Sequence, residues 1–264
     1  MIARDQEAEQ RLYNALRASF NRSDQARTGI HLSGLLTPLK EHWRRTQPPV
    51  PLTDAEIGYF TAGRGHEDII TKLLATDFIA TPEQEIDGIY LRPDFVAITD
   101  TIIPKGSHAE LKTRRMNLPK SDAEAQTVFE SYRQQVRGYM ALKQQSTMYL
   151  IVLSLLEGKT KDPLSQSRPV IAVYKETMTD DELQSTRADL QHRKTLLEIG
   201  ASSLLPLCPA WQCGGWRKAE TSWMYVVKCP YYDTCLPILR DPKRGAKKND
   251  ESRPELTAAQ NSGT

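Results

Sequence analysis

The sequence has no apolar run approaching the roughly 20 residues needed to span a bilayer, and residues 1–10 are too polar for a secretory signal. Both absences point to a cytoplasmic protein with no membrane partner. Excess charge of one sign is also missing: 35 Lys and Arg stand against 33 Asp and Glu. A net charge of +2 does not announce a nucleic-acid partner, so any basic groove has to be local. Residues 40–45, residues 112–115 and the tail with Arg240, Lys243, Arg244, Lys247 and Lys248 are the places for one. Cysteine is scarce, with four in all, and every one lies between Cys208 and Cys235. In a reducing compartment that crowding favours metal or cluster ligation over two disulfides.

At 264 residues, 39% hydrophobic and 26% charged, the chain is long and apolar enough for one large folded domain with appendages. Leu12, Leu16 and Phe20 recur at helical spacing in a polar surface helix over 4–20. Pro38 opens a helix through Arg45, and Thr53 opens another with Asp54 and Glu56 in its first turn. Gly63 and Gly65 are poor helix residues, each costing about 1 kcal/mol relative to Ala. They predict a glycine-rich turn where backbone or substrate comes close, just before His66. Residues 81–86, 89–91, 94–99 and 107–112 read as a strand meander, and a helix is predicted over 123–144. Two more strands, 148–156 and 169–174, precede a charged helix over 179–199. The expected division is a helical segment packing on the core (1–52), a core (53–200), a cysteine-rich segment (201–239) and a disordered tail (240–264).

Arg92-Pro93-Asp94 is followed, after fifteen residues, by Glu110-Leu111-Lys112. Two residues apart on a strand, Glu110 and Lys112 share a face while Leu111 points to the other. Asp94 opens the neighbouring strand, so the two carboxylates converge on one cation. Hard oxygen ligands suit Mg²⁺ or Mn²⁺, which polarises a phosphoryl oxygen and acidifies a water. Lys112 then orients that water and offsets charge on phosphate. A neutral His66 adds a nitrogen ligand that favours a transition metal such as Mn²⁺. Gln135 and Tyr139, four apart on a helix, face one side and reach a phosphate or an active-site group.

The ordered set Gly63-Arg64-Gly65-His66, Pro93-Asp94, Glu110-Leu111-Lys112 and Gln135-x-x-x-Tyr139 resembles the RecB-like branch of the PD-(D/E)XK nucleases. That family often has glycine four residues before the histidine, where this chain has Ala62. The resemblance runs from about Ser33 to Cys235 and implies an α/β fold, a restriction-endonuclease-like mixed central sheet flanked by helices. It also implies His66, Asp94 and Glu110 as metal ligands, Lys112 as the catalytic lysine, and Gln135 and Tyr139 as members of the site.

Four thiolates, Cys208, Cys213, Cys229 and Cys235, can hold a structural zinc or an iron-sulfur cluster, and spacing alone does not choose. Their pairs, Cys-x4-Cys and Cys-x5-Cys, are looser than those of zinc ribbons. The ending Trp211-Gln212-Cys213 with Cys229-Pro230-Tyr231-Tyr232-Asp233-Thr234-Cys235 resembles, split by an insertion, that of a cluster-bearing RecB-like subgroup. In that subgroup an upstream cysteine completes the set; here Thr37 stands in its place and Cys208 is the substitute. The implied cofactor is a four-iron four-sulfur (4Fe-4S) cluster, with zinc the alternative, stapling the C-terminal segment.

Within the subgroup the sequence is most similar to the CRISPR-associated RecB-family exonucleases, which trim DNA before spacer integration. The resemblance implies action on single-stranded DNA ends and work alongside an integrase complex. A homo-oligomer stays open, as do an exonuclease of phage or recombination-repair origin and a non-catalytic DNA-binding assembly subunit. The last fits poorly with three retained site residues, because carboxylates repel DNA unless a cation sits between them.

Overall fold

The computed structural model describes residues 6–25, 29–48, 50–114, 117–157, 168–208, 229–231 and 234–235. In chain order they contain α1 (Gln6–Gln25), β1 (Ile30–His31), α2 (Leu32–Leu36), α3 (Pro38–Thr46), α4 (Asp54–Leu73), β2 (Phe78–Ala80), β3 (Gln84–Ile86) and β4 (Ile89–Leu91). Next come β5 (Phe95–Ala97), β6 (His108–Arg114), α5 (Asp122–Val128), α6 (Glu130–Lys143), β7 (Thr147–Glu157), β8 (Arg168–Thr177) and α7 (Asp180–Glu198).

β7 carries Met148 and then Leu150, Ile151, Val152 and Leu153, all five buried, with the partly buried Tyr149 between them. A strand apolar on both sides has to be central and covered on both faces. It lies between β6, to which it is parallel, and β8, to which it is antiparallel, in the five-stranded order β2-β5-β6-β7-β8. One face buries Phe78, Phe95, Ala109, Leu111 and Ile151 under Ile70 and Leu74 of the α4 segment. On the other, α6 sends Gln135 onto Glu110. The expected mixed sheet flanked by helices is therefore present.

Several local expectations need correction. The four expected strands do not form one meander: β5 and β6 belong to the large sheet, with an additional strand β2, whereas β3 and β4 pair with each other and, through β4, with β1. Asp87 and Gly88, both at positive φ, make the tight hairpin turn that joins β3 to β4. Gly63 and Gly65 lie inside α4, which runs unbroken, and a Cβ on either would meet nothing within 4 Å. A full capping box between Thr53 and Glu56, with Ile57, Ile70 and Leu74 packed inward, outweighs their poor propensity. The glycines mark an open helix face, and His66 sits in the helix body. The helix expected over 123–144 is two helices, broken at Phe129, whose ring is 1% exposed and packs against Tyr132 and Tyr174 with Arg114 above it.

α2 approaches α6 closely because position 138 is glycine; a Cβ there would stand 2.8 Å from Leu32 Cδ1. α7 begins with its own capping box, Thr179 with Glu182, and Arg187 binds Asp87 at the hairpin turn. The basic stretch at 40–45 is partly neutralised from within: Glu41, 7% exposed, accepts from Arg44 and Arg45 at 2.7–2.8 Å. No described helix is long and apolar enough to cross a membrane.

The chain divides into two compact units, Met1–Cys208 and Pro209–Thr264. The elements above belong to the first. In the second, Cys229, Tyr231 and Cys235 are buried, and the Cys235 N–H donates to the Tyr231 carbonyl at 2.9 Å. Cys213 and the tail over 240–264 lie outside the described residues.

The Phe129 break is a packing anchor, so Phe129→Ala is expected to lower stability by about 3–5 kcal/mol in urea unfolding. Phe129→Leu should cost clearly less.

Candidate active site

The antiparallel ladder between β5 and β6 ends at the pair Phe95 and Ala109. Two residues further along β6, the Leu111 N–H is met by the Asp94 side chain, whose Oδ2 accepts it at 2.7 Å. A carboxylate standing in for a ladder carbonyl fixes Asp94 beside the strand that carries Glu110. The Asp94 backbone is held as well: its carbonyl accepts from the Thr81 N–H at 3.2 Å, and the Pro93 carbonyl accepts from the Thr81 hydroxyl. Tyr139 Oη donates to the Arg92 carbonyl at 3.2 Å. The segment 92–94 is thus clamped from two sides.

Glu110 is 2% exposed. Its Oε1 accepts from Lys112 Nζ at 2.6 Å and from Gln135 Nε2 at 2.8 Å, and Gln135 Nε2 also lies 2.7 Å from Tyr139 Oη. Its Oε2 is buried without a hydrogen-bond partner. Leaving a carboxylate oxygen unpaired in the interior is costly, and such an atom calls for a proton or a cation. Five residues singled out from sequence, Asp94, Glu110, Lys112, Gln135 and Tyr139, therefore come together as one network.

The electrostatics agree with the geometry. Burial pushes the Glu110 carboxyl up to about 8, with Lys112 pulling it down and Asp94 pushing it further up. Burial raises Asp94 as well, against the opposing pull of Lys112, the Leu111 N–H, Arg92 and a hydrogen bond with Glu110. For Lys112, burial would lower the ammonium, but the charge and hydrogen bond of Glu110 outweigh it and hold it above its ordinary value. Burial and then the charge of Glu110 raise the Tyr139 phenol, so it stays a neutral donor.

His66 is half-buried on α4, with Nδ1 2.7 Å from the Ala62 carbonyl. A proton on Nδ1 satisfies that carbonyl and leaves Nε2 with its lone pair, the arrangement common to metal-binding histidines. Among the described residues no three His, Cys, Asp or Glu side chains are grouped so as to hold an ion by themselves. What fits an ion here is the pair Asp94 and Glu110, with Oε2 of Glu110 unpaired. Mg²⁺ in particular binds through one or two carboxylates and keeps several waters.

The sequence reading missed two members of this neighbourhood. Thr81 fixes the Pro93 and Asp94 carbonyls, and nothing in its local pattern distinguishes it from a strand residue. Glu67 is half-buried beside His66; burial raises its carboxyl, and after burial come the fields of Asp94, Arg92, Asp68 and Lys112. Its signal was present as helical spacing, three residues before Ile70.

No family model matches the chain, and no curated protein matches it. Among solved structures it is similar to a phage-related exonuclease from Haemophilus somnus, at TM-score 0.47 and 12% identity over 69% of this chain and 96% of that one. It is also similar to the alkaline exonuclease LHK-Exo from Laribacter hongkongensis, at TM-score 0.32 and 12% identity over 67% and 94%. The chemistry of the site rests on its own residues.

The raised Glu110 predicts a pH effect. The folded state holds a proton there up to about 8, while the unfolded carboxyl loses it near its ordinary 4.5. This contribution is full below the unfolded value and is lost as pH rises through the folded one. His42 and His108, lowered by burial, act in the opposite sense, but near their ordinary value of 6.5. Metal-free protein should therefore show a Tm that falls between about pH 6.5 and 8 and levels off above it, and Glu110→Gln should flatten that fall.

Proposed function

We propose that the protein is a metal-dependent deoxyribonuclease of the RecB-like PD-(D/E)XK kind, an exonuclease that hydrolyses phosphodiester bonds at single-stranded DNA ends. The observation that carries this reading is the unpaired, buried Oε2 of Glu110 beside Asp94. An interior with two acids and one uncommitted carboxylate oxygen suits a divalent cation, and it has no use in a protein that merely binds DNA.

Asp94 and Glu110 would hold Mg²⁺ or Mn²⁺, with His66 Nε2 as the nitrogen ligand. When bound, the ion supplies Lewis acidity toward a phosphoryl oxygen and makes water a better nucleophile. The chain's own groups do the rest. Lys112, kept protonated by its carboxylate neighbour, cannot take up a proton and serves as a donor and a positive charge for the phosphate as negative charge grows there. Gln135 donates to Glu110 Oε1 and so fixes the orientation of that carboxylate. Tyr139 holds the Arg92 carbonyl and so the backbone that presents Asp94. Gln135 and Tyr139 are thus positioning residues.

The motif resemblance supports the finer reading, trimming of DNA ends for CRISPR spacer acquisition alongside an integrase complex. The same resemblance supports a 4Fe-4S cluster on Cys208, Cys213, Cys229 and Cys235, with zinc as the alternative. Burial of Cys229 and Cys235 suits ligands of either.

In a gel assay, wild-type protein with Mn²⁺ should shorten single-stranded DNA from its ends, and Lys112→Ala should lose about 100-fold or more in rate. DNA left intact by the wild type with both Mn²⁺ and Mg²⁺ would contradict the enzyme reading. Protein purified anaerobically should be brown with visible iron-sulfur absorption; a colourless protein with stoichiometric zinc would assign zinc instead.

A further inference from the structure

Alternation along β6 puts Glu110, Lys112 and Arg114 on the face turned to α6, since Ala109 and Leu111 lie in the core on the other. Two contacts fix this row. Gln135 Nε2 donates to Glu110 at 2.8 Å, and Arg114 Cζ lies 5.1 Å from the ring centre of Phe129, the N-cap residue of α6. Lys112 falls between them. Burial changes along the same row: residues 108–111 are buried, whereas Lys112, Thr113 and Arg114 are half-buried. The row is closed toward His108 and opens to solvent toward Arg114.

Arg114 is held in place without being neutralised. The Phe129 ring beneath it is 1% exposed and packs against Tyr132 and Tyr174, so it forms a fixed shelf. The β7 ladder sets Arg114 opposite Ser154, which fixes its backbone as well. Among the described residues no carboxylate pairs with Arg114. The arginines of α6 differ: Arg133 takes both oxygens of Glu176 at 2.8 Å, and Arg137 takes Glu182. A guanidinium seated on an aromatic ring with its donors uncommitted is suited to a phosphate.

We propose that Arg114 binds the phosphate of a single-stranded DNA next to the one that faces Lys112, and so sets the course by which the strand leaves the site. The proposal rests on the reading of Glu110 and Lys112 as the cutting centre. Two residues along a strand span about 7 Å, close to the separation of successive phosphates in an extended nucleic-acid chain. The opposite course meets His108, which is buried. A phosphate contact of this kind positions the strand and reads no base.

The test is binding of a fluorescein-labelled oligothymidylate to the full-length protein, followed by fluorescence anisotropy over a series of KCl concentrations without added Mn²⁺ or Mg²⁺. Each variant is first checked for folding by circular dichroism and thermal melting. Arg114→Gln should weaken binding about tenfold. It should also reduce the slope of log affinity against log salt by about 0.7, the share of one phosphate contact on a single strand. Arg114→Lys keeps the charge and should keep the slope. With Mn²⁺ present, the loss in Arg114→Gln should fall mainly on KM. Wild-type affinity and slope in Arg114→Gln would overturn the proposal, and cutting by the wild type would then leave the nuclease reading standing. A weakened Arg114→Gln with the wild-type slope would also overturn it, because the loss would come from packing over Phe129. If the slope changes as expected but the wild type cuts nothing, the phosphate contact is supported and the nuclease reading alone fails.

Discussion

The asymmetry of one buried carboxylate organises this molecule. Glu110 has two donors on Oε1 and none on Oε2, in a setting that makes ionisation unfavourable. A hydrophobic isostere would remove that cost, and interiors tolerate such replacements well. Keeping the carboxylate makes physical sense where a cation, arriving with its charge, turns the unpaired oxygen into a ligand. Lys112 and Gln135 hold the saturated oxygen, and Tyr139 is tied to Gln135.

The fold supplies the rigidity that such an arrangement needs. β6 pairs with β5 at His108 and Ala109 and with β7 from Ala109 to Arg114, and the β7 ladder holds Glu110 and Lys112 in register. The apolar residues that alternate with them, Ala109 and Leu111, are pinned in the core under α4, and α6 carries Gln135 and Tyr139 on the opposite side. Nearly every group of the site is fixed by a backbone bond or a packed neighbour rather than by a loop. That is the condition for holding ligands in position before an ion or a phosphate arrives.

The parts of this picture that were legible from sequence are those set by short-range rules. Period-two alternation placed Glu110 and Lys112 on one face, the continuous apolar run identified β7, and helical spacing joined Gln135 to Tyr139. Thr53 announced its helix through the acids Asp54 and Glu56 in the first turn. What failed depended on tertiary context. Gly63 and Gly65 read as a turn because propensity is local, but α4 is stabilised by its cap and by contacts with the sheet. The strands after α4 divide between two sheets because the Asp87-Gly88 turn lets β4 meet β1, a pairing remote in sequence. Thr81 escaped notice for the same reason, since its role is defined by what stands across from it.

The central claim concerns a single proton. With ¹³C-labelled glutamate, the Glu110 carboxyl resonance can be assigned by comparison with Glu110→Gln and followed in metal-free protein at pH 7. It should report a protonated group, in keeping with a value of about 8, and saturating Mg²⁺ should shift it to the ionised form. A Glu110 carboxyl already ionised at pH 7 and unmoved by Mg²⁺ would contradict the account.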